Sequence, residues 1–270
     1  MTSSAFQLTI DNYVAELSFN RPEKANSLNV STWEEMRDQF EALGQNPDVR
    51  VIILSGQGKH FCAGIDLETL MGVAMVNTSD EARKREGIRD FIYKLQDCIS
   101  SIERCPKPVI AAIHGSCIGG GLDIITACDL RYCADEAYFT IKETDLGLVA
   151  DIGTLQRLPT IIHPGMVAEM AFTARKVFGP EAEKIGLVNK SYADPEALKN
   201  GVGELASMMA AKSPLVLRGI KETLLYKRDH SVDDSLRQVA AHNAAYLLST
   251  DLAEAFQAFM EKRAPDYKDA

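Results

Sequence analysis

The feature that most constrains this chain is a change of pattern across residues 108–128. Pro108 to Ile113 is a short apolar run that reads as a buried strand, and it leads directly into His114-Gly115-Ser116-Cys117-Ile118-Gly119-Gly120-Gly121. Leu122 to Cys128 then has helical character. Strand, glycine turn and helix in that order bring bare backbone amides up to a ligand at the end of a sheet.

The rest of the chain agrees with a sheet flanked by helices. Phe6 to Ile10 and Val14 to Phe19 predict a hairpin turning at Asp11-Asn12. Ser31-Thr32-Trp33-Glu34 has the form of a capping box, and Trp33, Met36, Phe40 and Leu43 recur at helical spacing before Asn46-Pro47. Val49 to Leu54 reads as a second buried strand, Leu130 to Cys133 and Ala137 to Ile141 as shorter ones. Residues 69–96 are charged, helical in tendency and weakly periodic, the character of a segment that covers a site. Beyond about Pro180 the pattern is mostly helical, with N-cap signatures at Asp194-Pro195, Ser213-Pro214 and Ser231. Alternating strands and helices followed by helices alone predict an α/β unit with a helical tail.

Composition narrows the function classes. The chain has 270 residues and a formal net charge of -9, which disfavours a broad basic footprint for nucleic acid or an anionic membrane. No apolar run approaches a membrane span, and the start lacks a charged region followed by an apolar stretch. Of the six cysteines none forms a Cys-x-x-Cys pair, so reduced core thiols are expected, and the histidines never take the ligand spacing of a helical metal site. No metal is expected. Asp266-Tyr267-Lys268-Asp269 has the look of the beginning of a common epitope tag, or of a natural polar tail.

Three segments carry a resemblance: Asn20-Arg21-Pro22-Glu23-Lys24-Ala25-Asn26-Ser27-Leu28, His60-Phe61-Cys62-Ala63-Gly64-Ile65-Asp66-Leu67, and Ile118-Gly119-Gly120-Gly121-Leu122-Asp123 continuing through Ala127-Cys128-Asp129. In that order and at these separations the chain resembles the crotonase (enoyl-CoA hydratase/isomerase) superfamily from about Phe6 to Lys262. The resemblance implies a crotonase-like ββα spiral core over residues 1–195, holding an acyl-CoA site, and a C-terminal helical trimerisation subdomain over 196–270. It implies a thioester oxygen gripped by the amides of Ile65 and Gly120, and CoA contacts from Arg21, Lys24, Ala25, Ala63, Gly64, Asp66, Leu67 and Gly119. No cofactor beyond the CoA of the substrate is expected. Plain solvated charges are a competing reading for Arg21 and Lys24.

The acidic residues separate branches of the superfamily. Hydratases carry two glutamates where this chain has Asp123 and Glu143, and a small residue where it has Asp151. Asp123, Glu143 and Asp151 together resemble the Δ3,5-Δ2,4-dienoyl-CoA isomerases, as do the stretches 127–133, 171–176 and 226–233. By that resemblance Asp151 is the general base, Glu143 the general acid and Asp123 a residue that tunes them, in a proton shift belonging to fatty-acid β-oxidation. Asp151 follows the apolar run Leu146 to Ala150, and partial desolvation there would raise its pKa. Helix capping by Asp151, a helix-terminus role for Asp123 and a surface position for Glu143 are the structural alternatives. Enoyl-CoA hydration and a non-catalytic acyl-CoA-binding or RNA-binding homologue stay open as functions. The resemblance further implies homotrimers that pair as hexamers, and the expected location is cytoplasmic, or mitochondrial or peroxisomal in a eukaryote.

Overall fold

The computed structural model describes residues 4–74 and 80–269; residues 75–79, inside the stretch expected to be helical, lie outside the described residues. The strands are β1 (Phe6–Asp11), β2 (Val14–Phe19), β3 (Val51–Gly56), β4 (Val109–Ile113), β5 (Ser116–Ile118), β6 (Leu130–Ala134), β7 (Tyr138–Thr140), β8 (Val177–Phe178) and β9 (Lys190–Tyr192). The helices of the first part are α1 (Val30–Gln45), α2 (Leu67–Ala74), α3 (Glu81–Arg104), α4 (Gly120–Ala127), α5 (Thr154–Arg157), α6 (Pro164–Thr173) and α7 (Gly179–Lys184). Four more follow: α8 (Pro195–Ala210), α9 (Pro214–Asp229), α10 (Val232–Tyr246) and α11 (Thr250–Glu261).

The larger sheet has the order β1-β2-β3-β4-β6-β9, antiparallel only at the β1/β2 hairpin. The hairpin turns at Asn12-Tyr13, both left-handed with φ of 48° and 65°, one residue later than expected. A smaller sheet, β5-β7-β8, stands apart from it.

Parallel strands buried on both faces read as unbroken apolar runs, and here the two faces feed two cores. Ile52, Leu54, Val109, Ala111 and Ile113 pack with Trp33, Met36 and Phe40 of α1, Ile99 and Ile102 of α3, and Ile125 of α4. The alternating residues Val51, Ile53, Ile110 and Ala112 pack against Leu198, Val202, Ala206 and Ala210 of α8. A boundary drawn between 195 and 196 therefore cuts the first residue from the helix that covers the second face of the sheet.

Local chemistry starts most helices where the sequence places them. Asp194, Ser213 and Ser231 each accept a backbone N–H as N-caps. Helix α1 differs: its N-cap is Asn29, whose carboxamide oxygen collects Thr32 N, Thr32 Oγ1 and Ser31 Oγ, so Ser31 is already inside the helix. The six cysteines are free and buried.

Charged groups lock the N-terminal ends of the parallel strands. Lys221 Nζ, from α9, donates to Ile102 O, Lys107 O and Asp129 Oδ2 at 3.1, 3.1 and 2.8 Å. Arg50 donates to Ala210 O and Tyr267 O, while Asp269 pairs with Arg218 and Lys107. The tail at 266–269 is thus tied into the fold. Replacing Lys221, only 4% exposed, leaves acceptors buried without a donor. Lys221→Ala is expected to destabilise the protein by about 3 kcal/mol, the range for breaking a buried ion pair from one side, and urea denaturation measures it.

Candidate active site

The site forms where the C-terminal ends of β3 and β4 meet the loops that follow them. Residue Cys62 bridges to Cys117 in parallel register: Cys62 N donates to Ser116 O and Ile118 N donates to Cys62 O, both at 3.0 Å. That pairing lays the 62–66 loop against β5 and the start of α4. Gly64 has φ of +85°, and a Cβ there would lie 2.7 Å from Ile118 O and 3.3 Å from Gly120 N. Only a residue without a side chain fits so close an approach.

Amides are left over at this junction, among them those of Ile65 and Gly120. Leu28 N donates to Gly64 O and Asp66 N to Leu28 O, which steps past Ile65 N; Leu122 N and Asp123 N both turn back to Gly119 O, which leaves Gly120 N at the head of α4. Neither Ile65 N nor Gly120 N donates to a protein acceptor among the described residues. The aromatic ring of Trp33 backs the second one, with Cη2 only 3.1 Å from where a Gly120 Cβ would be.

Three carboxylates converge at graded depths. Asp123 on α4 has no exposure; its Oδ1 accepts from Thr154 N at 2.5 Å, and its Oδ2 is buried without a partner. Burial, reinforced by the nearby Glu143 charge, pushes its carboxyl up to about 7. Glu143 opens a 3-10 turn, and its Oε1 stands 2.9 Å from where a Cβ on Gly119 would lie, while its Oε2 is buried and unpartnered. Burial, with the charge of Asp151, raises it. Asp151 is exposed as a residue, yet partial burial of its carboxyl raises it too.

Asp151 is no helix cap. Helix α5 begins at Thr154 after Gly153, whose φ is 142°, and the acceptor for Thr154 N is Asp123. The segment carrying Asp151 is therefore fastened at one end by Asp123. At the other, Gln96 Nε2 of α3 donates to Asp151 O at 2.6 Å. Gln96 is a positioning residue that sequence reasoning passed over, because nothing local marks a long-range side-chain-to-backbone bond.

The expected CoA contacts occupy one corner. Ala63 N donates to Ala25 O at 3.0 Å, and Asp66 Oδ2 lies 3.7 Å from Arg21, whose Nη1 also donates to Ser27 O at 2.6 Å. Lys24 and Leu67 are exposed, and Lys24 makes no ion pair among the described residues. Arg21 thus spends part of its guanidinium within the loop. Asn26 organises this corner: buried, it accepts from Arg21 N and donates to Gln57 O and His60 O. Among the described residues no cluster of His, Cys, Asp or Glu is arranged to hold a metal ion.

Comparisons with known proteins agree with this geometry. The profile of the family described as Enoyl-CoA hydratase/isomerase matches residues 9–270. A peroxisomal Delta(3,5)-Delta(2,4)-dienoyl-CoA isomerase from Arabidopsis thaliana is 49% identical over 259 residues, covering 95% of this chain and 93% of that protein. A mitochondrial protein of the same name from Mus musculus is 45% identical, covering 93% of this chain and 77% of its own length. The crystal structure of an enoyl-CoA hydratase from Bacillus anthracis superposes with a TM-score of 0.89 at 30% identity, covering 98% of this chain and 100% of that one.

The raised Asp123 carboxyl has a consequence for stability. Between its unfolded pKa of about 4 and its folded value near 7 the folded state holds a proton that the unfolded state has released. Stability therefore falls as pH rises through that window. Asp123→Asn, which keeps an oxygen for Thr154 N, is expected to flatten this decline, stabilising the protein at pH near 8 by at most about 4 kcal/mol and hardly at all near pH 4. Urea midpoints at both pH values check the sign.

Proposed function

The chain belongs to the enoyl-CoA hydratase/isomerase family, and from that premise we propose that it is a Δ3,5-Δ2,4-dienoyl-CoA isomerase of fatty-acid β-oxidation, converting 3,5-dienoyl-CoA into 2,4-dienoyl-CoA. One observation carries the reading: a third carboxylate, Asp151, lies within electrostatic reach of Glu143, which in turn reaches Asp123 and stands against Gly119, next to the unpaired Gly120 amide. Relatives bearing the isomerase name at 45–49% identity support it.

In this reading the thioester oxygen accepts from Ile65 N and Gly120 N. Removal of a C2 proton by Asp151 throws an electron pair into the conjugated system as a trienolate, and donors preset around that oxygen stabilise it by about 3 kcal/mol each. Glu143 delivers a proton at C6, the C3=C4 and C5=C6 bonds become C2=C3 and C4=C5, and the CoA moiety leaves unchanged. Opposite roles for the two carboxyls require Glu143 protonated and Asp151 ionised, and the deeper burial of Glu143 favours that order. Only protons move, between the substrate, these two carboxyls and solvent, and no electrons are transferred, so no cofactor enters beyond the CoA of the substrate. Arg21, Lys24, Ala25, Ala63, Asp66 and Leu67 form the CoA-facing corner, with Gly64 and Gly119 giving the thioester its close approach.

Hydration as the main activity fits less well. It would ask Asp123 and Glu143 to activate water, while Asp123 has no exposure and holds Thr154 N. A homo-oligomer is part of the proposal: Val216, Leu224, Leu236, Leu248, Phe256 and Phe259 leave apolar surface exposed along α9 to α11. For the compartment, the reading is the cytoplasm, or a mitochondrion or peroxisome as in those relatives' names.

The test is direct. Asp151→Asn, which preserves shape and removes the base, is expected to cut kcat for a 3,5-dienoyl-CoA by roughly 10² to 10⁴ with KM little changed. The rise of 2,4-diene absorbance measures it, and an unchanged kcat would overturn the assignment.

A further inference from the structure

A cavity of about 430 Å³ opens beside Asp151, and neither Ile65 nor Gly120 lines it. Its walls include Gln96 and Ser100 of α3, Asp151, Gln156 and Arg157 of the α5 segment, and Arg228 of α9. Neither Asp123 nor Glu143 lines it. The walls are polar, but the cations are already matched: Arg157 and Arg228 both pair with Glu103, whose carboxyl they hold below its ordinary value. Asp229, also in the wall, lies 3.9 Å from Arg228, so with Asp151 and Glu103 the carboxylates outnumber the two arginines and the cavity suits water better than an anion. Gln96, by holding Asp151 O, fixes the loop between this cavity and the reacting site.

The proposed chemistry needs such an outlet. Each turnover forms an O–H bond on Asp151 as a C2–H bond breaks, and breaks an O–H bond on Glu143 as a C6–H bond forms. The enzyme is left with a protonated Asp151 and an ionised Glu143, the reverse of its starting state. Resting on that reading, we propose that this cavity is the route by which Asp151 releases the C2 proton to bulk water. Glu143 takes up one solvent proton in exchange, so no hydrogen is carried from C2 of one substrate to C6 of the next. The step balances: one proton leaves to water, one returns from it, and no electrons move.

Exposed Gln156 stands at the cavity wall on α5, and its side chain makes no hydrogen bond among the described residues, so it can be changed without disturbing the carboxylates. The experiment uses the full-length protein with substrate in large excess, in heavy water for ordinary 3,5-dienoyl-CoA and in ordinary water for substrate dideuterated at C2. Wild type is expected to place solvent deuterium at C6 of the product in heavy water, and to leave no deuterium at C6 from the labelled substrate. Gln156→Trp, which fills the cavity, is expected to lower kcat several-fold with KM unchanged and to raise the fraction of C2 label found at C6. Gln156→Ala should behave as wild type, and Thr160→Trp, filling the cavity from a second lining position one turn further on, should reproduce the Gln156→Trp result. The proposal is overturned if wild-type product carries the C2 label at C6, or if both tryptophan variants match Gln156→Ala in rate and label. No diene absorbance from wild type in ordinary water would overturn the isomerase reading and this inference together, whereas diene formation with retained label sinks this inference alone.

Discussion

The backbone pairing of Cys62 with Cys117 is the contact on which the site depends. Two hydrogen bonds at 3.0 Å lock a loop from the end of β3 against a strand that follows β4, and every chemical group is placed relative to that lock. Because Gly64 lacks a Cβ, the chains come close enough for the amides of Ile65 and Gly120 to be stranded side by side. A buried N–H without a partner costs about 1 to 3 kcal/mol, which is a sum the surrounding fold must supply and a ligand oxygen can return. Closing the gap by local relaxation would break the Leu28 and Gly119 carbonyl bonds that hold each flank.

Depth sorts the carboxylates. The one with no exposure, Asp123, is also the one that grips Thr154 N, so the group hardest to keep charged is used to fasten the loop bearing the outermost group. Gln96 fastens the same loop on its far side. Asp151 is thereby positioned from two directions while its own carboxyl stays accessible. Glu143 sits between them in burial and in electrostatic contact, its pKa raised by Asp151 and itself raising Asp123. Neighbours coupled in this way titrate as a set, with burial raising all three.

Much of this was legible in the sequence wherever the determining interaction is local. The strands at 51–56 and 109–113, the caps at Asp194, Ser213 and Ser231, and the helical face of Trp33, Met36, Phe40 and Leu43 follow from short-range pattern. The glycine run and the acidic positions singled out in the sequence do lie near one another in the fold. Less legible were features set by distant partners. Residues 116–118 form a strand inside what reads as a glycine turn, because its partner is Tyr138–Thr140. The cap of α1 is Asn29 and not Ser31, since both residue types can cap and the three-way bond of Asn29 decides. Asp151 has a raised pKa, as the apolar run before it suggested, but Leu146, Leu148 and Val149 of that run are themselves 45, 43 and 73% exposed. The desolvation comes from tertiary neighbours, so the direction was right for a reason the sequence did not contain.

A parallel sheet has two unlike ends, and this protein assigns them opposite electrostatic policies. At the N-terminal ends of β3, β4 and β6, Arg50, Lys107, Asp129 and Lys221 meet carbonyls or counter-charges, and the docked tail adds Asp269. Charges satisfied in that manner resist being moved, because any displacement exposes an uncompensated buried ion. At the C-terminal ends the reverse holds: Asp123 Oδ2 and Glu143 Oε2 are buried with no partner, and two amides point at no acceptor. An interior that pairs most of its charged groups at one end, Arg50 Nε excepted, and leaves carboxylate oxygens and amides unpaired at the other is held by its own bonds at the first and open to a ligand's at the second. That asymmetry follows from strand direction alone, since the loops able to bring glycine amides and carboxylates together all leave the sheet from the same edge.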